Sequence, residues 1–274
     1  MNKNYIGPEG CLALAAFLRK TSSPLEEIEL VHNVLCQGAA KENMPPPPPS
    51  RRNPPTGFYG SYQQDVGGLR ELLDAIRQHP TMRVLDVRGN FLPLEAGSLL
   101  LDAVNCNKNL ETVCGIELAP LRDGQSKEIS LQCESFFTYS EYSPHWGRDR
   151  DNRFLSTGGA YFLTLLLLQH PQRDLEKLLL PSQGLASDLS NAAELYDALG
   201  RVCEQSSKLQ VLDISGFWDS GTEAGQALGR RVAGHPSLSK LAIGTGSIDW
   251  EDLRRKGKSG EPNITLKLGT SRMR

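Results

Sequence analysis

No CxxC pair, no HExxH, no GxxxxGK[ST] loop and no GxSxG elbow occurs in the 274 residues. Without them nothing in the sequence supports a zinc centre, a phosphate cradle or a hydrolase nucleophile, so no catalytic residue, metal or cofactor is expected. The GTG at Gly244 to Gly246 lacks the third glycine of a dinucleotide fingerprint. The six cysteines, Cys11, Cys36, Cys106, Cys114, Cys133 and Cys203, are scattered, with no histidine at metal-ligand spacing. A reducing, cytoplasmic setting in which they pack as small hydrophobes is the expectation.

An excess of one charge is missing too. A formal net charge of −2 gives no electrostatic reason to expect nucleic acid or an anionic membrane as partner. The longest apolar run, Tyr161 to Leu168, is too short to span a bilayer. The patch from Cys11 to Leu18 follows Pro8 and Glu9 rather than a basic leader, so no secretory signal is expected.

What the chain has in excess at one place is proline. MPPPPPSRRNPP, residues 44 to 55, can be neither helix nor strand, because each proline removes a backbone donor and fixes its own φ. Residues 41–65 are therefore read as an inserted loop in extended polyproline II form. Pro46, Pro49 and Arg51 fit PxxPxR, the pattern of a ligand for an SH3-type reader; a plain spacer is the competing reading.

On both sides of the prolines the sequence repeats itself. PEGCLALAAFL from Pro8, LEAGSLLLDAV from Leu94 and TEAGQALGRRV from Thr222 each read as a helix start. Apolar residues then recur at i, i+3, i+4 and i+7: Cys11, Leu14, Ala15, Leu18 in one and Ala96, Leu99, Leu100, Ala103 in another. Leu69, Leu72, Leu73, Ile76 and Ala192, Leu195, Tyr196, Leu199 make further stripes. Between them lie period-two segments expected as strands: LEEIELVHN from Leu25, MRVLDVRGN from Met82, LETVCGIEL from Leu110, LEKLLLPSQ from Leu175, LQVLDISGF from Leu209 and LSKLAIGTG from Leu238. Where uninterrupted, they recur about every 28 to 34 residues, the interval of a solenoid.

LxxLxLxxN in LEEIELVHN and MRVLDVRGN, joined to helix starts such as IGPEGCLALAAFL, resembles the leucine-rich repeat of the ribonuclease-inhibitor type. The resemblance implies an α/β solenoid, a horseshoe with parallel strands on the concave face and helices on the convex face. One domain over 1–274 would be interrupted by two insertions. It implies further that Asn33 and Asn90 turn inward and satisfy backbone groups at the bend. Gln183, Leu118 and Phe217 stand at that position in other repeats, where irregular bends are expected.

If positions four and six of each strand face the core, positions three, five and seven line the open face. Those are Glu27, Glu29, Val84, Asp86, Arg88, Lys177, Leu179, Val211 and Asp213, expected to form one continuous surface for a protein partner. Residues 134–156 form a second insertion, in which Tyr139, Tyr142 and Trp146 stand among arginines. These types dominate binding hot spots, although they could equally pack on the solenoid edge. Three histidines occur as His-Pro, at His79, His170 and His235, each between a helix and the next strand, which reads as helix termination rather than chemistry. The glycine pairs Gly67-Gly68 and Gly158-Gly159 read as turns before helices.

The expected function is a non-catalytic protein-interaction scaffold. Two alternatives stand beside it: a regulatory or sensor repeat segment of a larger protein, and an enzyme whose site is built by the insertions around His145.

Overall fold

Leu69, Leu72, Leu73 and Ile76 each lose essentially all solvent contact, and they do so because their spacing puts them on one side of a helix. A computed structural model describes residues 1, 4–20, 24–40, 62–131, 155–180, 192–214, 223–243 and 265–268. Among them the order is α1 (Pro8–Lys20), β1 (Glu27–Glu29), β2 (Gln37–Ala40), β3 (Tyr62–Gln64), α2 (Gly67–Arg77), β4 (Val84–Asp86), α3 (Leu94–Cys106), β5 (Thr112–Val113) and β6 (Ile116–Glu117). There follow α4 (Leu118–Arg122), β7 (Glu128–Ser130), α5 (Thr157–Gln169), β8 (Lys177–Leu179), α6 (Ala192–Gln205), β9 (Val211–Ile214), α7 (Glu223–Ala233), β10 (Lys240–Ile243) and β11 (Thr265–Leu268).

The fold is mixed α/β with parallel strands. Within each sheet the strands stand in chain order: β1, β4 and β5 pair in parallel in one sheet, with β2 and β3 left out of it, and β7, β8, β9, β10 and β11 in a second. The helices pack in the same succession, α1 on α2, α2 on α3, α3 on α5, α5 on α6 and α6 on α7. Between the two layers lie Ile28, Leu30, Leu85, Val87, Leu178, Leu180, Leu212, Ile214 and Leu241, all buried. Full burial of such a side chain is worth about 1.5–3 kcal/mol. α5, TGGAYFLTLLLLQ, is apolar nearly all round and packs between α3 and α6. No helix among the described residues is long and apolar enough to cross a membrane.

Asparagines tie the bends together. Asn90 Nδ2 donates to Leu30 O and Val87 O, both at 2.8 Å, while its Oδ1 accepts the Asn33 N–H at 3.0 Å. A second polar row, three residues ahead of each strand's first leucine, ties the opposite ends. Asn107 Nδ2 donates to Ile76 O and His79 O, at 2.7 and 3.0 Å. His235 Nε2 meets Cys203 O and Ser206 O, at 3.1 and 3.0 Å, and its Nδ1 accepts from Ser237 N and Leu238 N. Two carbonyls on one nitrogen and two N–H groups on the other assign Nε2 as the donor and Nδ1 as the acceptor. Gln172 fills the same place, donating to Leu121 O and accepting from Ser126 N. A histidine here replaces an amide one for one, because the carbonyls left at each helix end need a donor.

Four sequence expectations need correction. LETVCGIEL is not one strand. Cys114 and Gly115 both take positive φ, 52° and 72°, and fold β5 back onto antiparallel β6, so Leu118 opens α4 instead of a bend. Gly67-Gly68 and Gly158-Gly159 are not turns but lie inside the first turns of α2 and α5. A side chain on Gly68 would strike the Pro8 backbone, and one on Gly158 the Pro93 carbonyl, so both glycines mark close helix approach. Residues 62 to 65, read as part of the proline-rich loop, are not irregular: Tyr62–Gln64 is strand, antiparallel to Gln37–Ala40, and Asp65 N–H donates to Cys36 O. Finally, the hairpin ends the first sheet, so the expected continuous strand surface is divided between two sheets.

Candidate interaction surface

The register fixes which strand residues stand side by side. Glu27, Val84 and Thr112 form one row across the first sheet, and Glu29 stands beside Asp86. In the second sheet Glu128, Lys177, Val211, Lys240 and Thr265 form the matching row, with Leu179 beside Asp213. The nine proposed contact residues therefore fall into two groups: Glu27, Glu29, Val84, Asp86 and Arg88 in or beside the first sheet, and Lys177, Leu179, Val211 and Asp213 in the second.

Eight of them keep solvent contact, but Asp86 is only 2% exposed. It accepts from the Arg88 backbone N–H and Nε on Oδ1, both at 3.0 Å, and from Nη2 on Oδ2 at 2.8 Å. A buried carboxylate needs such a set of donors to hold its charge. Arg88 in turn lies over Gly115, where any β-carbon would collide with the guanidinium. Asp86 is thus not an open contact but the part that fixes Arg88 on the hairpin turn, and only Arg88 of the two can meet a partner.

Charges that the strand-position rule left aside complete the surface. Arg83 Nε and Nη2 donate to the two carboxylate oxygens of Glu111, at 2.9 and 2.8 Å, and Nη1 reaches Glu26 at 3.4 Å. The Glu111 hydrogen bond and charge hold the guanidinium above its ordinary pKa. Lys177 Nζ donates to Glu128 at 2.9 Å, which raises its pKa in the same way. Opposite charges at position two of strands one repeat apart were the readable signal for the first set, and register alone revealed the second.

Beneath the surface the thiols are inert. Burial pushes Cys11, Cys114 and Cys203 up to about 12, and Cys36 up as well; Cys106 is exposed. Among the described residues no group of three or more His, Cys, Asp and Glu is placed to hold a metal ion. Pro46, Pro49, Arg51, Tyr139, Tyr142, His145 and Trp146 lie outside the described residues. No protein-family model matches this chain, and no curated protein matches it either.

Proposed function

We propose that the chain is a leucine-rich-repeat solenoid of the ribonuclease-inhibitor type and a non-catalytic scaffold that binds a protein partner on its strand face. Parallel strands would line a concave side and helices a convex side, with the proline-rich and aromatic segments as insertions, in a cytoplasmic setting. The observation that carries this reading is the row in register from Glu128 through Lys177, Val211 and Lys240 to Thr265. One side chain per unit at a fixed place, on strands held rigid by their neighbours, keeps the ordering cost of binding low. Mixed charge with apolar Val84, Leu179 and Val211 between suits a protein surface rather than a polyanion.

The test is a photo-crosslinking amino acid placed at Lys177 or Val211, and at Leu12 on α1 as control, followed by mass spectrometry of adducts from native lysate. The same polypeptide captured from both strand positions and not from α1 supports the reading. Equal capture from all three removes it.

The second reading, a regulatory or sensor segment of a larger protein, is favoured by one observation: the large hydrophobic side chains exposed among the described residues, Met1, Tyr5, Leu12 and Phe17, cluster at one end of the array.

A further inference from the structure

β7 stands at the end of its sheet, with β8 on one side and no strand on the other among the described residues. The register shows which of its main-chain groups are left over. Lys127 O accepts the Glu176 and Lys177 N–H groups, at 2.7 and 3.1 Å, and the Leu131 N–H donates to Leu179 O at 3.0 Å. With Ile129 beside Leu178 in the parallel ladder, Lys127, Ile129 and Leu131 turn their main chain toward β8. Alternate residues of a strand point their main chain to opposite sides, so the N–H and C=O groups of Glu128 and Ser130 point away from β8. β8 itself has both halves of this pattern: Lys177 and Leu179 face β7, while Glu176 O and the Leu180 N–H bond to β9. The first sheet does not supply the missing half. β6 is antiparallel to β5, runs at Glu117 directly into α4, and shares no backbone ladder with β7.

Side chains define what fits this edge. Ile129 is buried with the core, whereas Glu128 and Ser130 are exposed. Among the described residues Glu128 meets a cation from one flank, where its Oε2 accepts from Lys177 Nζ at 2.9 Å. In the first sheet a comparable row is closed on both flanks, with Arg83 between Glu26 and Glu111, one beside each neighbouring strand. At the end of β6, paired with Thr112, Glu117 is exposed as well. The strands that end the two sheets therefore both carry an open carboxylate.

We propose that the outer edge of β7 is a docking site for an extended segment of a protein partner, which joins the sheet as one more strand. Its main chain takes up the N–H and C=O groups of Glu128 and Ser130, with a lysine or arginine beside Glu128 and an apolar residue beside Ile129. In such strand addition main-chain pairing supplies the affinity and alternate side chains the selectivity. The proposal rests on the register of the second sheet and not on the repeat reading. It concerns the edge, whereas the crosslinker at Lys177 or Val211 reads the face, so failure of one leaves the other standing.

The probe is a synthetic seven-residue peptide of alternating threonine and valine with lysine at its centre, and its control is the same peptide methylated on every amide nitrogen. Amide exchange of the full chain is followed by NMR. Without peptide, Glu128 and Ser130 exchange at least about tenfold faster than Ile129 and Leu131, which lie in the ladder. About 1 mM of the probe slows Glu128 and Ser130 about threefold or more, and the methylated control leaves them unchanged. Ser130→Pro removes an N–H that no ladder uses and abolishes the protection at Glu128. Slow exchange at Glu128 and Ser130 without the probe overturns the proposal, because the edge is then already covered: by a second copy if dilution releases it, by the chain's own residues if not. Equal protection by the control, none by the probe, or protection that survives Ser130→Pro overturns it too. Should that variant not fold, exchange of the parent chain decides alone.

Discussion

Asn90 accepts the main-chain N–H of Asn33 at 3.0 Å, and with its own amide it holds the carbonyls of Leu30 and Val87. One side chain therefore satisfies three buried main-chain groups on two units. Asn90→Ala leaves all three without a partner. At about 1–3 kcal/mol for each buried group stranded, and with partial relaxation, the variant loses about 3 kcal/mol or more. Urea denaturation measures it; a loss under about 1 kcal/mol means that water takes over the site.

His235 acts through hydrogen bonds that an amide also makes at Asn107 and Gln172. His235→Gln should stay within about 1 kcal/mol of the parent, whereas His235→Leu should lose about 2 kcal/mol by stranding the Cys203 and Ser206 carbonyls. Equal loss in both would mean that ring packing, not donation, is what matters.

The two arginines of the first sheet separate buried from exposed charge. Asp86→Ala removes the anion that holds Arg88 over Gly115 and should cost about 2 kcal/mol, because its buried hydrogen bonds are lost while the Arg88 guanidinium keeps access to water. Arg83→Ala, at an exposed site, should leave the melting temperature nearly unchanged despite its three hydrogen bonds. Thermal melts of the two variants should rank in that order, and the reverse order would contradict the assignment.

Buried thiols set an alkaline limit. In the unfolded chain they ionise near 9, while in the fold burial holds Cys11, Cys114 and Cys203 protonated up to about 12. Their contribution is complete below pH 9 and is lost as pH rises from 9 toward 12. Melting temperature should fall across that interval, and the triple Cys→Ala variant should show a shallower fall. At pH 8 iodoacetamide should label Cys106 long before these three, with peptide mapping as the readout.

Much of this arrangement is legible in the sequence. Period-two segments and helical stripes located strands and helices because one buried face leaves a period in the sequence, while the inward amides of Asn33 and Asn90 were implied only by the resemblance. The hairpin at Cys114-Gly115 was not, because two residues of positive φ look like a strand that contains a glycine. The burial of Asp86 was hidden for another reason: position five faces outward by periodicity, and Arg88 folds back across the carboxylate. Gly68 and Gly158 read as turns because sequence does not reveal the carbonyl of another helix standing where a β-carbon would go.

The hairpin of β5 and β6 has a mechanical consequence. Backbone hydrogen bonds run from strand to strand on either side of it, but between β6 and β7 none is made within a sheet, while α3 still packs on α5. Load carried from one sheet to the other passes at this point from a stiff ladder of backbone bonds into side-chain packing, assisted by the Gln172 amide on Leu121 O. Under tension the molecule should yield there first, at the seam between Glu117 and Glu128, leaving two strand ladders that each remain intact.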